Sequence, residues 1–289
     1  MLPPDQWVGY SGAMKTTLCI DTATAYCSVV LAHAGKVYSD SQRLERRHNE
    51  VLLEMLDVVL AEALIAPSNI ALIGFNAGPG SFTGIRLAAA VVQSIALVSG
   101  AKVARLGHSH IAVSAAQAGD PVRQEKQQHV RREMHKETPK EAHKETHKET
   151  LPEARRETPF PTDFICSIPS RAQLFYMSAY RCVAGEMVCE HSDELLDAMP
   201  AGWLSEWWQR DDVALVGPRP EWLPEKATPM ARPMPADGES NVAVLLPLTM
   251  AYDAAGQTVT AAAALPIYVS GDSPWQTVAA RRAAAQQAD

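Results

Sequence analysis

Ala71-Leu-Ile-Gly-Phe75-Asn-Ala-Gly78-Pro79-Gly80-Ser81-Phe82-Thr83-Gly84-Ile85-Arg86 decides the fold class, because an apolar run meets a glycine-rich bend and a helical apolar pattern follows at once. Ala71 to Phe75 predicts a buried strand, and Ile85 to Ser99 predicts a helix closed by Gly100. Ala88, Ala89, Ala90 and Ala96 keep that helix thin enough for another helix to approach closely. Lys102 to Leu106 and Ser109 to Gln117 predict one more strand and one more helix. Upstream, Thr17 to Ile20, the polar bend Asp21-Thr22-Ala23-Thr24, Cys27 to Ala32 and the turn Ala34-Gly35-Lys36 read as an antiparallel meander. Asn49 to Leu64 predicts a helix capped by Asn49 and stopped by Pro67. Three antiparallel strands followed by alternating helices and strands imply a mixed sheet with helices on its faces.

The 289 residues are 47% apolar and 20% charged, the balance of a globular protein with a real core. Net charge is −7, and residues 121–159 hold 10 Lys and Arg against 8 Asp and Glu. The rest of the chain is therefore more acidic than the whole, which disfavours direct binding of a phosphate backbone. Cys19, Cys27, Cys166, Cys182 and Cys189 form no C-x-x-C pair and are odd in number, which suits a reducing compartment. Leu87 to Val98 is too short an apolar stretch to cross a bilayer, and Met1 to Ala13 lacks the features of a secretory signal. A cytoplasmic protein is expected. Residues 1–13 read as an extension outside the fold, with Met14 as the natural start.

The composition breaks after Gly119. A degenerate His-Lys-Glu-Thr repeat fills 135–150 with almost nothing to bury, so 120–160 reads as a disordered charged insertion after a first lobe of 14–119. Phe164 to Ile168, Gln173 to Tyr180 and Val213 to Gly217 predict strands. With a helix near Val242 to Ala251 and a final Leu265 to Val269 segment they build a smaller second lobe, 161–275, before a tail of 276–289.

The glycine-rich bend fails three nucleotide-loop readings. Its glycines are too close together for a P-loop and Ile85 stands where Lys would be. Thr83 replaces a glycine of the dinucleotide fingerprint, and a nucleophile elbow at Ser81 needs glycine at both Pro79 and Thr83. An anion site at the helix start and a tight packing turn both remain open. Asp21 and Thr22 are weak candidates for holding a nucleotide, since an Asp-Thr bend is more often a self-bonded turn. His143 and His147 share a helical face but lie in the repeat with no third ligand, so no metal site is expected. His108 and His110 read as loop residues, and Trp203, Trp207 and Trp208 as packing around Glu206.

Leu18-Cys-Ile-Asp-Thr-Ala-Thr24, Arg47-His48 at a helix start and the nonapeptide Gly78 to Arg86 resemble the bacterial tRNA threonylcarbamoyladenosine biosynthesis family TsaB, also called YeaZ. The resemblance covers Met14 to about Gln117 and continues more weakly to Pro266-Ile-Tyr268. Pro169-Ser-Arg171 and Ser270 depart from the family pattern, and the insertion is unusual. The resemblance implies an α/β, two-lobed actin-like ATPase (ribonuclease H-like) fold with mixed sheets flanked by helices. It further implies a non-catalytic scaffold, without a cofactor of its own, that binds the catalytic partner TsaD and, through it, the ATPase TsaE. Under that reading tRNA is met indirectly, a nucleotide at the partner interface and a homodimer in isolation are left open, and no membrane is involved. An autonomous actin-like ATPase or a protease-like enzyme is the competing reading.

The Asn49 to Leu64 helix has an apolar face broader than a sheet requires. With the Ala-rich helix it predicts a partner surface of Val51, Leu52, Met55 and Val59 with Leu87, Val91 and Ile95. The bland alternative turns all seven toward the lobe's own sheet.

Overall fold

The computed structural model describes residues 15–44, 48–118, 162–171, 173–225, 231–232 and 242–269. The expected extension 1–13, the insertion 120–160, the tail 276–289 and the His143/His147 pair lie outside the described residues.

The first sheet is ordered β11-β5-β4-β1-β2-β3. Its strands are β1 (Thr17–Asp21), β2 (Tyr26–His33), β3 (Lys36–Arg43), β4 (Leu72–Gly78), β5 (Lys102–Gly107) and β11 (Thr258–Val259). β1, β4 and β5 run parallel, and β2, β3 and β11 join antiparallel. β1 and β4 are buried along their whole length, as central strands covered on both faces should be. Helices α1 (His48–Ala63) and α2 (Phe82–Ser99) cover one face, packing on Leu18, Ile20, Val29, Leu31 and Phe75. Helix α3 (His108–Ala118) and α5 (Val242–Ala254) cover the other through Cys19, Val30, Ala104 and Leu106.

The second sheet, β10-β9-β6-β7-β8, comprises β6 (Asp163–Pro169), β7 (Phe175–Val183), β8 (Glu186–Leu196), β9 (Val213–Val216) and β10 (Ala231–Arg232), with α4 (Trp203–Trp208) between β8 and β9. Its pairing repeats that of the first: β6 with β7 and β7 with β8 antiparallel, β6 with β9 and β9 with β10 parallel. Two copies of one connectivity are what a two-lobed actin-like fold requires.

Three expectations are corrected. α5 and β11 belong to the first sheet, not to the 161–275 lobe. α5 is seated by Gly74 of β4, where a Cβ would stand 1.9 Å from Thr249 Oγ1. That hydroxyl donates to Leu245 O at 2.7 Å, one turn back along α5. Asn49 lies inside α1, which starts at His48. α2 starts earlier than Ile85, with Ser81 as its cap: its side chain accepts from Gly84 N–H at 3.2 Å. At 18 residues α2 is long and apolar enough to cross a membrane by length and composition alone. Here one side of it is packed on β4, with Gly100 in left-handed conformation as C-cap.

Candidate functional site

The bend after β1 and the glycine-rich loop after β4 meet and lock together. Asp21, 2% exposed, accepts from Ala23 N–H at 2.9 Å and from Asn76 Nδ2 at 3.1 Å. Asn76 Oδ1 accepts from Gly78 N–H at 3.1 Å, and Ser81 N–H donates to Ala23 O at 2.8 Å. Thr22 Oγ1 donates to Gly84 O at 2.7 Å. A Cβ at Gly84 would lie 1.9 Å from Thr22 O, and one at Gly80 2.6 Å from Ala23 O. Those glycines therefore permit backbone contact between bend and loop. Of the two open readings, the tight packing turn describes this arrangement. The Asp21 carboxylate and the Thr22 hydroxyl, the two weak nucleotide-holding candidates, both take part in this lock.

Asn76, a lone polar residue inside an apolar strand, is a member of this network that spacing arguments pass over. His108 is another. Read from sequence as a loop residue, it opens α3, is buried, and donates from Nδ1 to Pro79 O at 2.8 Å. His110 is likewise helical, half-buried between Tyr180 and Tyr252, and its imidazole is pushed down from 6.5 to about 4 by desolvation. Cys19 and Cys27 are buried, and burial pushes their thiols up to about 12, which makes them unreactive packing groups. Trp207 and Trp208 are buried beside Leu204, in keeping with the packing reading.

The loop's other end meets the returning chain. Arg86 lies 3.6 Å over the Phe82 ring and donates to Tyr268 Oη at 2.9 Å, while Ile267 N–H donates to Ala77 O at 2.8 Å. Phe82 and Arg86 of the nonapeptide thus tie Pro266 to Tyr268 onto the start of α2. Thr83 is exposed at the same turn.

Of the seven residues expected at a partner surface, Leu52, Met55 and Val59 are wholly enclosed, at 0%, 1% and 1% exposure. They belong to the stripe Leu52, Met55, Leu56, Val59, Leu60, Ala63 that faces β2, so helical phase removes them from any surface. Val51, Leu87, Val91 and Ile95 are half-buried at the edge of the same core. The apolar residues that do face outward are Leu53, Val58 and Leu64 of the α1 segment and Leu97 and Val98 of α2, the last two 75% and 72% exposed. Leu87, Val91, Ile95 and Val98 recur every three or four residues, so they form one ridge along α2. Among the described residues, no group of three or more His, Cys, Asp or Glu is placed to hold a metal ion.

The family model for TsaD, tRNA N6-adenosine threonylcarbamoyltransferase, matches residues 39–125. The chain is 36% identical over 81 residues to the tRNA threonylcarbamoyladenosine biosynthesis protein TsaB of Haemophilus influenzae, covering 28% of this chain and 34% of that protein. It is 36% identical over 92 residues to TsaB of Escherichia coli, covering 32% and 39%. The chain thus spans little more than a third of the length of these curated relatives. YeaZ from Pseudomonas aeruginosa superposes with a TM-score of 0.60 at 25% identity, over 89% of this chain and 100% of that one. A second crystal structure, of an uncharacterized protein with similarity to peptidase YEAZ from the same organism, matches with a TM-score of 0.60 at 26% identity over the same shares.

Proposed function

We propose, for a chain that belongs to the TsaB/YeaZ family, a non-catalytic scaffold role in threonylcarbamoyladenosine modification of tRNA, exercised by binding and supporting a catalytic TsaD. The observation that carries this reading is the outward apolar surface of α2, where exposed Val98 continues the ridge of half-buried Leu87, Val91 and Ile95 and exposed Leu97 flanks its end. A ridge of this kind packs into the groove of another helix, and leaving it in water costs free energy that a partner recovers. The non-catalytic part of the proposal is supported by the bend and loop, whose carboxylate, hydroxyls and several amides serve internal bonds. TsaE joins through TsaD, tRNA is met through the same partner, and any nucleotide sits at the interface with it. In the absence of TsaD the same face closes on a second copy. The protein works in the cytoplasm.

Co-expression with the cognate TsaD, followed by size measurement, tests the proposal. The wild type is expected in a stable complex, and the variant Leu97→Asp/Val98→Asp is expected as a folded protein outside it. A folded variant that still binds TsaD removes this face from the proposal. Modification of tRNA or turnover of ATP by the purified chain alone removes the non-catalytic reading.

A further inference from the structure

The seam between the two lobes carries a polar cluster at the first turn of α3. Ile111 and Ala115 of this helix pack on the first sheet's core, and Ala112, Val113 and Ala116 on the second's, so α3 is shared by both lobes. In its first turn His108 reaches back to Pro79 O, and Ser109 Oγ donates to Asp193 Oδ1 of β8. Asp193 comes from an irregular stretch of strand. Ala179 pairs with His191 and Met177 with Glu194, so Ser192 and Asp193 both stand opposite Ser178. Such a bulge re-aims a side chain, and this one turns a carboxylate inward from an edge strand toward the start of a helix. Ser178 on the facing strand is wholly enclosed. Its hydroxyl faces the same carboxylate yet completes no hydrogen bond of good geometry among the described residues.

We propose that Asp193 is a built-in anion that latches the second lobe to the first and fills the place at the start of α3 where a phosphate-type oxyanion would otherwise bind. Helix starts favour negative charge, because their first amides have no partner within the helix. Two hydroxyls, from Ser109 and Ser178, converge on the same spot. The carboxylate is largely shut away from water, and that burial pushes its pKa up against the pull of those neighbours. An anion held at such a cost is retained by the contacts it closes between two sheets. The latch makes the second lobe a fixed extension of the first and keeps free oxyanions out of the seam.

Amide hydrogen exchange on the full chain tests this, with inorganic phosphate as the probe and chloride matching the ionic strength. In the wild type, phosphate leaves exchange in residues 108–111 and 189–194 unchanged. Asp193→Ser speeds exchange in both segments about tenfold, the loss of one charge-assisted hydrogen bond, and phosphate slows it again in that variant. Unchanged exchange in Asp193→Ser overturns the proposal, as does a phosphate effect absent from the variant or equal in the wild type. If Asp193→Ser does not fold, Ser109→Ala leaves the carboxylate in place and removes its donor. The same two segments then exchange faster, and unchanged exchange overturns the latch.

Discussion

Helices α2 and α3 follow successive strands of one sheet, yet α2 buries six of its 18 residues and α3 buries eight of its 11. α3 lies between two sheets and both of its sides are spent, so its polar first turn is completed by the chain's own His108, Ser109 and Asp193. α2 lies on one sheet, and its far side still carries Leu97 and Val98. The helix richer in apolar residues is the one left less covered. The helix that carries His108 and His110 is covered on both sides, which is the pattern of an internal joint.

The contrast between inward and outward sides breaks most severely at Met55. This residue is 1% exposed against β2, so Met55→Asp buries an unpaired carboxylate and removes a packed side chain. A loss of more than about 4 kcal/mol is expected in a denaturant melt. A variant of wild-type stability would mean that α1 is turned outward at this position.

α3 is sharpened next by pH. His110 is held down from 6.5 to about 4, so the folded protein keeps a neutral ring where the unfolded chain carries a charge. Its contribution is whole above pH 6.5 and is lost as pH falls toward 4, about 3 kcal/mol in all. Asp193, pushed up by burial, acts with the opposite sign: its contribution is whole below 3.8 and fades as pH rises through its folded value. His110→Phe keeps a ring against Tyr180 and cannot titrate. The wild type should therefore lose stability against this variant between pH 6.5 and 4, and parallel profiles would place the ring in water.

The outward side of α2 is expected to behave differently from both. Leu97→Asp/Val98→Asp should shift the stability of the isolated chain by no more than about 0.5 kcal/mol. It should weaken partner binding by about 2 kcal/mol or more, roughly thirtyfold. Titration calorimetry against the cognate TsaD reads the second number and a thermal melt the first. A large stability loss with unchanged binding would reverse the assignment.

The first lobe was largely legible because its strands are bounded by polar bends and its helices end at Gly100 or shortly before Pro67. β8 was not. It is a long edge strand with Glu186, Glu190, Asp193 and Glu194, and two register shifts against β7 destroy the alternation that marks a strand. α5 was legible as a helix but not as a member of the first lobe, since Val242 to Leu248 is apolar on every side and names no face. Its address lies in the fit of Thr249 to Gly74, a contact between positions 175 residues apart in sequence. At the candidate site the nonapeptide was visible and its purpose was not, because glycine spacing is the same for an anion cradle and for backbone contact. The width of the apolar face on α1 was legible and its phase was not. Leu52, Met55 and Val59 were therefore expected at a partner surface and are found in the core.

The smallest expected effect lies where the two behaviours meet, at the start of α2. Arg86 is exposed there, yet its guanidinium lies on Phe82 and holds Tyr268 Oη, so it binds the returning chain to the outer helix without a buried charge. Stacking on a half-buried ring and one hydrogen bond contribute about 1 kcal/mol together. Arg86→Ala should cost that much in a denaturant melt, and Tyr268→Ala should add less in its presence than in the wild type. The backbone bond from Ile267 to Ala77, and those from Arg105 to Leu265 O and Pro266 O, remain in either variant, which limits the loss. If the two substitutions are additive, Arg86 and Tyr268 act independently, and those remaining bonds alone hold the returning chain against the loop that starts α2.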